Sequence, residues 1–84
     1  MIKYKKVYLD YYNLTVADWI GCEVCDKTSQ DIHHLKFKSQ GGKDVIENLI
    51  ALCRDCHNKC HDSKEFNEKA KKIHLKNILK NEKL

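Results

Sequence analysis

Eighty-four residues, 42% hydrophobic and 33% charged, with three glycines and no proline, describe one small domain that is short of core. A chain of this size buries only about 60% of its unfolded surface and needs a staple, which excludes a second domain, a large enclosed substrate cavity, and a Rossmann or barrel enzyme. The formal net charge of +4 is modest but uneven: residues 64–84 carry seven Lys and three Glu, while residues 1–63 carry nine basic and nine acidic side chains.

The basic start, Met1 to Lys6, is followed by an apolar run that Asp10 interrupts, with no small-residue cleavage site beyond it. A secretory leader is therefore not expected, and no stretch approaches the roughly 20 apolar residues of a membrane span. The expectation is a soluble, cytoplasmic chain with no membrane association. In a reducing compartment, closely spaced cysteines point to metal rather than disulfides, and the odd count of five agrees.

Residues 7–20 read as one or two short helical turns, with Thr15 as N-cap, Asp18 three residues on, and Gly21 just past the end. Tyr8, Leu9, Tyr12, Leu14, Val16, Trp19 and Ile20 are expected to supply much of the core, since aromatics dominate small cores. Residues 22–30 read as a tight turn, Asp31–Leu35 as a short strand, 36–44 as a loop around Gly41-Gly42, and Val45–Asn48 as a turn. Leu49–Leu52 is a short apolar strand. A helix is expected from Cys53 or Arg54 to about Asp62, and a second from Lys64 to Lys80 with Ser63 as N-cap. On that last helix Phe66, Ala70 and Ile73 share one face, while Leu75, Ile78 and Leu79 lie mostly on another. The split predicts a change of packing partner midway, or a second chain.

Two Cys-x2-Cys pairs, Cys22/Cys25 and Cys53/Cys56, stand 27 residues apart. Each such turn sets two thiolates on one side of a tight loop, and two turns complete a closed tetrahedral sphere, so a structural Zn2+ is expected. His57 and His61 are one helical turn apart and share a face, which favours a metal site over a solvated surface. His33 and His34 are neighbours on a strand and point to opposite faces, so one can ligate a metal while the other addresses a substrate. Cys60 reads as a small buried apolar residue, and His74 as a surface residue. Lys36, Lys38, Lys43 and Arg54 lie near these histidines in the sequence and are candidate phosphate contacts.

The run Asp31-Ile32-His33-His34-Leu35, then Gly41-Gly42, then Asn48-Leu49-Ile50-Ala51-Leu52-Cys53-Arg54-Asp55-Cys56-His57 and His61, resembles an HNH endonuclease of the four-cysteine type. The letters correspond to His34, Asn48 and His61. The resemblance implies a small α+β fold: a ββα-metal motif in a treble-clef-like zinc frame, with flanking N-terminal and C-terminal helices. It implies a core over residues 22–62, an N-terminal helical cap over 1–21 and a basic C-terminal helix over 63–84. It also implies His34 as the general base that activates water, Asn48 orienting the loop and the base, and one catalytic divalent ion on His33, His57 and His61, with Asn48 a direct ligand in some members. Magnesium prefers oxygen ligands while Mn, Ni or Zn suits imidazole, so all four ions stay open. The implied partner is DNA, double-stranded, cut to 5′-phosphate and 3′-hydroxyl ends.

Two other readings stand beside this one. The chain can be a noncatalytic zinc module that docks nucleic acid or protein; His33, His34, Asn48 and His61 in register are what such a module does not need. It can also be a homodimer, or a nuclease subunit of a larger complex. For that last reading the resemblance implies a bacteriophage setting, where some small proteins of this kind work beside DNA-packaging machinery.

Overall fold

Four consecutive apolar residues, Leu49 to Leu52, form strand β2 (Leu49–Leu52), and all four are buried. A strand buried on both faces needs a layer on each side, and that requirement organises the chain. The computed structural model describes residues 2–82; Met1, Lys83 and Leu84, at the extremes of the expected cap and basic helix, lie outside the described residues.

Strand β1 (Asp31–His34) pairs antiparallel with β2, in the register Asp31 to Leu52, Ile32 to Ala51, His33 to Ile50 and His34 to Leu49. Cross-strand partners share a face. On one face Leu49, Ala51 and Ile32 pack with Tyr8, Tyr4, Val7, Tyr12 and Ile20. On the other, Ile50 and Leu52 pack with Leu35, Cys22, Cys56, Cys60 and Ala70. Helix α1 (Lys3–Tyr11) covers the first face; α2 (Arg54–Asp62) and α3 (Lys64–Glu82) cover the second. Among the described residues this is three α-helices and a two-stranded antiparallel sheet, the expected small α+β class. No helix among them is long and apolar enough to cross a membrane.

The N-terminal segment departs from expectation. Its helix occupies Lys3–Tyr11 and is closed off by Asn13, which takes a left-handed φ of 57°. Asn13 N–H bonds Asp10 O, and Leu14 N–H bonds Leu9 O, the paired closure that a left-handed residue after a helix allows. Thr15 and Asp18 do bond one another, but they close a single turn and start no helix. That turn points Val16 outward, 75% exposed, and Trp19 is 66% exposed. Trp19 leaves the core because its indole lies over Gly21 and its Nε1–H donates to Thr28 Oγ1 at 3.1 Å. Of the expected core residues, Tyr8 and Leu9 are buried, and Tyr12, Leu14 and Ile20 are half-buried.

The C-terminal helix starts where expected, with Ser63 Oγ accepting from Phe66 N–H at 3.1 Å. Its buried residues are Ala70, His74 and Ile78, spaced four apart. The stripe is continuous once polar members are counted: Asn67, His74 and Asn77 complete it, while Leu75 and Leu79 stay exposed. His74 is a correction to the surface reading, being fully buried. Its Nδ1 meets the Glu23 carboxylate at 2.9 Å and its Nε2 donates to Ile46 O at 2.6 Å.

Candidate metal centres and catalytic site

The first cluster is built by two tight turns. Cys22 N–H bonds Lys27 O and Asp26 N–H bonds Cys22 O, curling the chain so that Cys22 and Cys25 face one side. Cys53 caps α2, its sulfur accepting from Cys56 N–H at 3.4 Å. The four sulfurs lie within 4.8 Å of one another, and Cys25 and Cys53 approach to 3.6 Å. A tetrahedral ion with bonds of about 2.3 Å needs sulfurs about 3.8 Å apart, so the four cysteines fit a metal ion. Burial raises the Cys53 thiol, but the Cys56 N–H and hydrogen bonds from neighbouring thiols outweigh it and bring it down to about 7. None of the five cysteines forms a disulfide. Cys60 is buried beside Cys22 outside the cluster, and burial pushes its thiol up to about 11.

The second cluster gathers His33, His57 and His61, whose nitrogens also lie within 4.8 Å of one another. His33 and Asp31 project from β1 towards α2 because both pair with β2 residues of that face. His57 and His61 stand one turn apart on α2, with their Nε2 atoms 3.1 Å apart. The far nitrogens are held. His57 Nδ1 meets Asp31 Oδ2 at 2.9 Å, and Arg54 grips the same carboxylate through Nε at 2.8 Å and a terminal nitrogen at 3.2 Å. Asn67 Nδ2 donates to Leu35 O at 2.9 Å, so its Oδ1 faces His33 Nε2 at 2.8 Å as an acceptor. These partners assign the protons to His57 Nδ1 and His33 Nε2, leaving lone pairs on His57 Nε2 and His33 Nδ1. Burial, reinforced by His57 and His61 nearby, holds His33 down at about 4, against the Asn67 bond. A neutral imidazole is the ligating form. The three imidazoles converge closely enough to hold a divalent ion, with bonds of about 2.0–2.1 Å.

His34 stands apart from this cluster, on the α1 side of the sheet. Its Nε2 meets Asp44 Oδ1 at 2.7 Å, and the Tyr4 ring packs against it edge-on with centroids 4.8 Å apart. Asn48 touches neither His34 nor the three-histidine cluster by a hydrogen bond. It accepts from Lys36 N–H at 2.7 Å and donates to Lys36 O at 3.1 Å and Lys43 O at 3.0 Å, tying both ends of the 36–43 loop to the foot of β2. Gly42 makes that closure possible, because a side chain there would collide with the Lys36 carbonyl.

The four expected phosphate contacts divide. Lys36 lines a cleft of about 470 Å³ with Phe37, Asn48, His61, Lys64 and Lys71. Lys43 is exposed on the loop. Lys38 lies 3.4 Å from Asp44, and Arg54 is held by Asp31 behind His57. Sequence reasoning missed Asp31, Asp44 and Asn67. Only Asp31, at the head of the quoted run, carried a signal. It also missed Lys64 and Lys71, which the fold brings to the cleft from α3.

Comparison with known proteins adds two findings. The model of the family described as HNH endonuclease matches residues 22–64. The chain is also similar to the Type IV methyl-directed restriction enzyme EcoKMcrA of Escherichia coli (strain K12): 35% identical over 57 residues, covering 56% of this chain and 21% of that protein. The chain thus corresponds to about a fifth of that relative's length.

Proposed function

Matched over residues 22–64, this chain belongs to the HNH endonuclease family, and on that premise we propose that it is a metal-dependent endonuclease that hydrolyses DNA phosphodiester bonds. The observation that carries the proposal is the convergence of His33, His57 and His61, beside His34 at the next position of the same strand. We read residues 22–62 as a ββα-metal core in a treble-clef-like zinc frame, capped by the helical segment before Cys22 and flanked by the basic helix α3.

In this reading Cys22, Cys25, Cys53 and Cys56 hold a structural Zn2+, and His33, His57 and His61 hold the catalytic divalent ion. When bound there, that ion supplies charge stabilisation to the phosphate and the leaving 3′ oxygen. The remaining work falls to the chain. His34 Nδ1 carries the lone pair, since Nε2 faces Asp44, and it takes the proton from the attacking water. Asn48 holds the loop that carries Lys36 and Lys43. Lys36, Lys64 and Lys71 line the cleft beside His61 and have no ion-pair partner among the described residues, so they are free to meet backbone phosphates. Arg54 acts through Asp31 instead, steadying His57.

The test is a plasmid-nicking assay with added Mg, Mn, Ni or Zn. Wild type cuts, and His34→Ala lowers the rate by about 10²–10⁴-fold, the contribution of a positioned base, with fold and metal content unchanged. A wild type that binds one thiolate-held metal and stays inert with every ion is instead a noncatalytic zinc module.

A further inference from the structure

The structure assigns the positioning of the general base to Asp44, a residue of the loop, and not to Asn48. The inference rests on the nuclease reading above and deepens it. The side chains of His34 and Asp44 are both largely enclosed, at 13% and 12% exposure, and their contact at 2.7 Å is as short as any hydrogen bond in the site. A carboxylate at neutral pH has no proton to give, so the hydrogen between them belongs to His34 Nε2. The bond to His34, with Lys38 behind it, holds the Asp44 carboxyl below its usual range. The consequence is a fixed tautomer. With Nε2 protonated, the lone pair is on Nδ1, the nitrogen turned away from Asp44.

The surroundings leave few alternatives for the ring. Tyr4 blocks one side edge-on. Asp44 follows Gly41, in the left-handed region at φ 85°, and Gly42, which lies against the Lys36 carbonyl. Those two glycines fold the loop back so that a residue ten positions downstream of His34 can reach it. Asn48 then clamps the loop through Lys36 and Lys43, on either side of that return. Asn48 therefore reaches the base through Asp44, and Asp44 is the residue in contact. As His34 takes the proton from water, it becomes an imidazolium, and the carboxylate 2.7 Å away stabilises that charge. Asp44 is thus a positioning residue, acting through His34 and touching no reacting atom.

The primary measurement is the tautomer itself. Long-range proton–nitrogen NMR of metal-loaded wild type is expected to show His34 protonated at Nε2 and bare at Nδ1. Asp44→Ala is expected to lose that single tautomer while His33, His57 and His61 keep theirs. In cleavage assays Asp44→Ala is expected to lower kcat on the order of 10–100-fold, part of what a positioned base supplies, with KM and divalent-ion affinity unchanged. In the His34→Ala background the same substitution should change nothing further. The inference is overturned if wild-type His34 is protonated at Nδ1, if Asp44→Ala cleaves like wild type, or if it slows the His34→Ala variant equally. Failure of the nuclease reading looks different: wild type does not cut, or His34→Ala cuts as well as wild type.

Discussion

Two of the three clustered histidines, His57 and His33, are each fixed by a second contact. His57 donates to Asp31, and His33 donates to Asn67, which is itself pinned by Leu35 O. Such outer contacts set the tautomer and ring angle of a ligand, and their loss lowers metal affinity by about 10–100-fold. Asn67→Ala is accordingly expected to weaken divalent-ion binding at the histidine cluster by that factor. Metal bound by the cysteines should be unaffected, since Asn67 contacts none of them. Titration calorimetry with Ni or Mn on zinc-loaded protein separates the two sites. Equal affinity in variant and wild type would mean that His33 is oriented without Asn67, or ligates nothing.

At the scale of elements, α3 gains its place from polar residues. Its stripe runs through His74, whose two nitrogens face the Glu23 carboxylate and Ile46 O. Glu23 also accepts from Tyr8, Asn77 and the Ala51 N–H, so one buried carboxylate joins α1, the first cysteine turn, β2 and α3. Burial opposes its charge, but the bonds from His74, Asn77 and Tyr8 win and hold it below the usual carboxylate range. Breaking a buried charged pair from one side costs about 3–5 kcal/mol. His74→Ala is expected to lose stability on that scale in urea unfolding at fixed metal content, whereas Lys72→Ala, on the exposed face of the same helix, should stay within about 0.5 kcal/mol. This contact also marks the limit of what sequence reveals. The two strands, α2 and the start of α3 were legible, because apolar runs, a Cys-x2-Cys turn and a Ser63 cap are local signals. That His57 and His61 share a face followed from one helical turn, whereas the choice of His33 over His34 as their companion came from the family resemblance. His74 and Glu23 are 51 residues apart, and Asn67 and His33 are 34 apart. No local pattern announces such pairs. The N-terminal helix was placed too late because Lys3, Lys5 and Lys6 mask its start and no side chain caps Ile2. Val16 and Trp19 looked like core by residue type alone, and a single turn at Thr15 and Asp18 put them outside.

For the molecule as a whole, the two candidate metal clusters sit on the same helix but hold different things together. The cysteine cluster joins the 22–25 turn to the start of α2 and closes the segment that contains both strands. In a chain this small a thiolate-bound ion is folding energy, worth about 10–16 kcal/mol in isolated zinc modules. The histidine cluster joins β1 to α2, which already touch through the core around Ile50, Leu52 and Cys56, and through the Asp31–His57 contact. An ion there adds little that packing has not secured. Metal release is therefore expected in two stages. A mild chelator should strip the histidine-held ion and stop cleavage while the far-ultraviolet circular dichroism stays unchanged. A thiol-reactive mercurial should then release the second ion and unfold the chain in the same step. Cys25→Ser, at the exposed corner of the cysteine cluster, should bring the second stage to lower reagent concentration and leave the first where it was. If both ions leave together with the fold at the first stage, the histidine-bound ion also holds the structure, and the separation of a structural from a catalytic centre fails.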